Sequence, residues 1–210
     1  DWPAFKGGPR RSSVQPTLPP WQPFACGRPF VAQQYLDLLG RPLDAAGQDY
    51  WTARLRSGLW SGARVVQGFM ASPEFGGTVA PIVRVHLGLS AGAPGPSAVI
   101  RDEIASVRQG TSIASIAQAR LDAMAPMTDG ELVDTVFPRL VGAAPTTAQR
   151  NEALDTIASD GQGAWVAEVA SSEWVVARLR NHVQVAFSYI GLLDRAPARP
   201  GSEVTGPTRW

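Results

Sequence analysis

Cysteine, lysine, histidine and long apolar runs are all scarce in these 210 residues, and each scarcity excludes something. Cys26 is the sole cysteine, so no intramolecular disulfide and no cysteine-based metal cluster can form. A lone thiol suits a small packed residue, or a link between chains where the compartment oxidises. Lys6 is the sole lysine among 19 basic residues, a bias that fits a GC-rich genome better than a functional demand. The net charge is +1 and the longest basic run is Arg10-Arg11, too little to displace counterions from a polyphosphate, so nucleic acid is not an expected partner. No apolar run approaches the ~18 residues of a membrane span. The chain starts at Asp1 rather than methionine, which fits a processed mature form, with a signal peptide removed, or a cut piece.

Catalytic and metal-binding patterns are equally thin. His86 and His182, the two histidines, lie on or beside apolar helical faces with no acid at metal-ligand spacing, which favours packing or surface roles. Gly88-Leu89-Ser90-Ala91-Gly92 matches the G-x-S-x-G elbow, but that turn needs a preceding strand and here it follows a helix. Asp160-Gly161-Gln162-Gly163 lacks the further oxygen ligands of a calcium loop and reads as a turn. There is no P-loop and no G-x-G-x-x-G. Neither an enzyme nor a cofactor is expected.

What is present begins with an arm. Residues 1–29 hold seven of the 18 prolines and show no helical period. Trp2, Phe5, Trp21 and Phe24 punctuate this stretch, and large aromatics of that kind need a surface to dock on, either their own domain or a neighbouring chain.

From Phe30 to Phe75 the sequence reads FVAQQYLDLLGRPLDAAGQDYWTARLRSGLWSGARVVQGFMASPEF. Val31, Tyr35, Leu38 and Leu39 form one helical face, which Gly40 ends. Asp44 is placed to cap a second helix carrying Tyr50, Trp51 and Leu55, and Ser61 a third with Val65, Val66, Phe69 and Met70. Ser72-Pro73-Glu74 then starts another helix, through Val79, Ile82, Val83 and Leu87, whose early turns Gly76, Gly77 and Pro81 make irregular. Ser97, Ser112 and Thr147 are the caps expected further on. A long helix follows Ser172, with Val175, Leu179, His182, Ala186, Tyr189, Ile190 and Leu193 on one face. Tyr35, Gly40 and Gly47 have counterparts in Val83, Gly88 and Gly95, and YIGLLDRAPARPG near the end parallels YLDLLGRPLDAAG. The expected fold is therefore all-α: short helices in about four repeats of roughly 50 residues (30–72, 73–127, 128–171 and 172–210), each burying its open face on its neighbour.

Leu38-Leu39-Gly40-Arg41, Asp44, Gly47 and Tyr50-Trp51, with the Ser72-Pro73-Glu74-Phe75 ending, resemble the LLGR-x-x-D-x-x-G-x-x-YW repeat of a bacterial domain of unknown function, itself similar to phycobilisome linker domains. The middle units lack the Arg, Asp and Trp positions. The resemblance implies a secreted or surface-displayed, non-catalytic module, since that family often accompanies glycine-rich calcium-binding repeats and similar helical repeats anchor surface-layer proteins to lipopolysaccharide. Most of its motif positions read as structural: a glycine stop, an Asp cap, a glycine packing site and a Trp core anchor. Arg41 either caps helix-end carbonyls, pairs with Asp44 or Asp49, or binds an anionic glycan.

Function is thus expected to lie in contacts. The leading expectation is an extracellular or cell-surface structural or self-assembling module that docks protein neighbours. The alternative is a glycan-binding or envelope-anchoring domain. Candidate contact residues are Trp2, Phe5, Trp21 and Phe24 on the arm, with Arg41, Asp44, Trp51 and Trp60 in the repeat.

Overall fold

The structure, a computed structural model, describes residues 27–90 and 95–193. Trp2, Phe5, Trp21, Phe24 and Cys26, and with them the expected arm up to residue 26, lie outside the described residues, as does the sequence after Leu193.

The described residues fold into ten α-helices: α1 (Gly27–Leu39), α2 (Ala45–Arg56), α3 (Gly62–Met70), α4 (Ala80–Leu89), α5 (Ser97–Arg108), α6 (Ile113–Asp122), α7 (Asp129–Val141), α8 (Thr147–Asp160), α9 (Gln162–Ser171) and α10 (Glu173–Leu193). Among these residues there are no strands, as the all-α expectation requires.

Local chemistry sets the boundaries. Asp44, Ser61 and Ser112 accept hydrogen bonds from the first-turn N–H groups of Gly47, Arg64 and Ser115. Thr128 and Thr146 form capping boxes with Glu131 and Gln149. Ser72 Oγ accepts from Phe75 N at 3.1 Å, with Pro73 at the first helical position. Gly40 and Gly142 end α1 and α7 at φ 66° and 93°, a conformation that costs other residues a Cβ clash.

Three boundary expectations and one of a buried face need correction. Helix α1 begins at Gly27, three residues inside the expected arm, because proline is tolerated in a first turn, where no N–H is needed, and Pro29 sits there. Thr146 rather than Thr147 caps α8. Pro96 occupies the cap position expected of Ser97, which is already helical. On α10 the inward face runs through Val183 and Phe187, leaving His182 exposed.

Between Ser72 and α4 the chain makes a π-helical turn, Phe75–Val79, in which Ala80 N reaches Phe75 O. Gly76 and Gly77 permit the widening, and Pro81, which has no N–H and would clash with the carbonyl four residues back, gains from it. The irregularity expected at these residues is this turn.

Helix α4 is buried along its whole length. A helix buried on every side belongs at the centre of a domain, even one carrying Arg84 and His86, and α5, α6, α7, α9, α10 and the π-turn all pack on it. Helix α10 also reaches α1, α7 and α9. The helices therefore close around α4 instead of lining up as a one-dimensional stack, and one hydrophobic core runs from Val31 to Ile190.

Candidate functional site

The motif residues converge where the end of α1, the start of α2 and the turn after α3 meet. Trp51 is 8% exposed and lies flat on Phe69, ring centres 4.5 Å apart, and Tyr35 meets Phe69 edge-on at 5.0 Å. Burial raises the Tyr35 phenol's pKa, and the Trp51 side chain beside the Tyr35 hydroxyl lowers it by less. Gly47 stands against that hydroxyl so closely that a Cβ would lie 1.8 Å from it, and Gly68 leaves room in the same way for the Trp51 ring.

Arg41 covers the outer side of this cluster, its guanidinium 4.6 Å from the Tyr35 ring centre. Its Nε and Nη2 donate to the two carboxylate oxygens of Glu74 at 2.6 and 2.8 Å, and its Nη1 donates to Asp44 at 2.7 Å. Glu74 also accepts from Arg108 at 2.7 Å, while Arg108 donates through Nε and Nη2 to the Leu39 carbonyl. Arg41 first, and Arg108 after it, hold the Glu74 carboxyl below its ordinary range. The Gly47 N–H, then Arg41, do the same for Asp44. Arg41 is pushed up, chiefly by Glu74, and burial raises the Tyr35 phenol.

The candidate contact residues thus separate. Arg41 pairs with both Asp44 and Glu74, so these charges are balanced within the domain, and Trp51 is a core residue. Trp60 is only half-buried and leans on Trp51 at 5.8 Å. Beside it Arg54 lies 3.4 Å from the centre of the exposed Tyr50 ring, with Arg54 and Arg64 at 5.5 and 5.3 Å from the Trp60 ring. Sequence reasoning missed Glu74 as Arg41's main partner, 33 residues away, although an acid in the SPEF ending was visible.

A second polar set joins α4, α5, α6 and Gly95. His86 is 2% exposed, its Nδ1 accepts from Gly95 N at 3.2 Å, and its Nε2 donates to Glu103 at 2.6 Å. Arg120 donates to the other Glu103 oxygen at 2.7 Å. Both ring nitrogens are engaged, which fits the packing role expected from its apolar face, although the acid comes from 17 residues away. Ser90 ends α4, and Ala91 and Gly92 of the G-x-S-x-G match lie outside the described residues.

Arg84, also on α4, is the residue sequence reasoning passed over. It is 5% exposed, its Nε donates to the Ala170 carbonyl near the end of α9, and burial lowers its pKa to about 10. It remains charged at neutral pH. The signal was a lone arginine inside the apolar run Ile82 to Leu89.

The described residues form an all-helical fold in which the motif's polar residues pair with one another. Over residues 25–79 the chain is similar to the family described as a domain of unknown function (DUF4214). No curated protein and no solved structure matches it. No helix among the described residues is long and apolar enough to cross a membrane.

Proposed function

We propose that this chain is a non-catalytic structural or assembly module, secreted or displayed at the cell surface, that works through contacts with protein neighbours, its own copies among them. The carrying observation is the distribution of apolar surface. Motif residues Arg41, Asp44 and Trp51 are satisfied within the domain, whereas Leu36 on α1 and Val185 and Leu192 on α10, two helices that pack together, stay between 44% and 56% exposed. Single exposed apolar residues are ordinary, but several on adjoining helices are what a neighbour covers. The extracellular setting rests on the resemblance of the LLGR-x-x-D-x-x-G-x-x-YW stretch, and the same proposal includes a phycobilisome-linker-like descent through four helical units.

Light scattering across micromolar concentrations tests it. Assembly should appear, and Leu36→Asp with Val185→Asp should dissolve it without altering the circular dichroism spectrum. A chain that stays monomeric with and without residues 1–26 refutes self-assembly.

A glycan-binding reading is favoured by one feature, the surface of Tyr50 and Trp60 flanked by Arg54 and Arg64. Aromatic rings beside cations suit the face and charge of an acidic sugar. A glycan array probed with the native chain and with Trp60→Ala decides it: no acidic glycan bound, or equal binding by both, removes this reading.

A further inference from the structure

Among the described residues five arginines donate to carbonyls near helix ends, and four of them keep side chains that reach the surface or a carboxylate. Arg84 differs. It is nineteen-twentieths buried, pairs with no carboxylate among the described residues, and makes one hydrogen bond, from Nε to Ala170 O. Its two terminal nitrogens have no partner there, and the side chain lines a cavity of about 460 Å³ between the end of α3, the π-turn, α4 and α10. That volume lies within the roughly 300–1,000 Å³ of small-molecule sites.

The walls decide what such a cavity takes. Met70, Phe75, Ala80, Val176 and Val183 make most of it apolar, with exposed Arg180 and half-buried Gln184 alongside. An unpaired buried charge is costly and is retained where something compensates it. Two guanidinium nitrogens left free in one plane match the two oxygens of a carboxylate. A fully hydrated anion such as inorganic phosphate would leave its other oxygens facing apolar walls. We propose that this cavity binds a small amphiphilic carboxylate, its head on Arg84 and its apolar chain along Phe75, Val176 and Val183. The cavity shares α10 with the proposed docking surface, but Leu36, Val185 and Leu192 do not line it.

Titration calorimetry with decanoate, kept below its aggregation concentration, tests the proposal, with decan-1-ol as the probe lacking the head and acetate as the probe lacking the chain. Decanoate should bind saturably at one site, at least about tenfold more tightly than either control, a difference of about 1.4 kcal/mol. Arg84→Met should weaken it by about tenfold or more. Val176→Trp fills the cavity while leaving Arg84 in place and should abolish binding, so it decides the matter if Arg84→Met does not fold. Absence of saturable decanoate binding to the native chain, unchanged binding in either folded variant, or equal binding of decanol overturns the assignment.

Discussion

Replacing Glu74 by Gln tests whether the most recognisable stretch of the chain is a structural lock. Glu74 takes three charge-assisted hydrogen bonds, two from Arg41 at 2.6 and 2.8 Å and one from Arg108 at 2.7 Å. Charge-assisted bonds are worth about 1.5–3 kcal/mol each when desolvated. Here Glu74, Arg41 and Arg108 keep 30%, 26% and 22% of their side-chain surface, so each bond should be discounted towards the 0–1 kcal/mol of surface pairs. Gln retains one acceptor of the same shape, and both arginines keep other partners, Arg41 in Asp44 and Arg108 in the Leu39 carbonyl. The net expectation is a loss of about 2 kcal/mol. For a chain of this size that lowers the melting temperature by roughly 4–8 °C. A double-mutant cycle with Arg41→Gln should give a coupling of about 1 kcal/mol. A melting point within about 1 °C of the native chain, or additive effects in the cycle, would refute the lock.

The same carboxylate predicts a pH dependence with a definite sign. Its folded pKa lies below its ordinary value of 4.5, so the folded state binds fewer protons than the unfolded state near that pH. The stabilisation is fully present above 4.5 and is lost as pH falls through the lowered folded value. The stability gap between the native chain and Glu74→Gln should hold at neutral pH and narrow progressively as pH falls below 4.5. A gap unchanged down to pH 3 would place the effect in packing instead of charge.

Three further outcomes are expected. Gly47→Ala should destabilise by about 1–3 kcal/mol through overpacking against the buried Tyr35 hydroxyl, despite alanine's better helix propensity, and Tyr35→Phe should recover part of that loss in chemical denaturation of the double variant. Thr146→Ala removes one capping box and should cost about 1 kcal/mol, read from the urea midpoint. His86→Leu leaves the Gly95 N–H without its acceptor and Glu103 with Arg120 alone, a loss of about 2–4 kcal/mol that thermal unfolding should register.

Helix existence and helix starts were legible because their causes are local. Asp44, Ser61, Ser72 and Ser112 cap as their positions suggest, and apolar spacing locates the buried faces of α1 and α3. Pairings between distant polar residues were not. Arg41 finds Glu74 33 residues on, His86 finds Glu103 17 residues on, and Arg84 finds a carbonyl 86 residues on. No periodicity encodes such partners, since tertiary packing chooses them. Glycine was half legible. Gly40 stops a helix and Gly47 is a packing site, as their positions suggest, but nothing marked Gly163 as another: a Cβ there would fall 2.6 Å from the Ala114 carbonyl, so α6 and α9 approach this closely because that residue is glycine.

The arginine bias, read from composition as genomic background, has a structural use. Arg108 of α5 donates to the last carbonyl of α1 through two nitrogens. Arg139 of α7 donates to the Gly88 and Leu89 carbonyls at the end of α4, and Arg178 of α10 to the Arg139 and Leu140 carbonyls near the end of α7. Helices α1, α4 and α7 open the first three proposed units, and each is tied at its end by an arginine from the unit that follows. The unpaired carbonyls of a helix C-terminus carry partial negative charge, and a planar guanidinium on a long stem can bond there while packing its methylenes on the neighbour. Lysine offers a compact ammonium without that fork. The kind of contact recurs at these three helix ends, whereas the spacing does not: the arginines stand 69, 51 and 38 residues after the carbonyls they bond. Within the one shared core, these arginines add polar ties between helices that are distant in sequence.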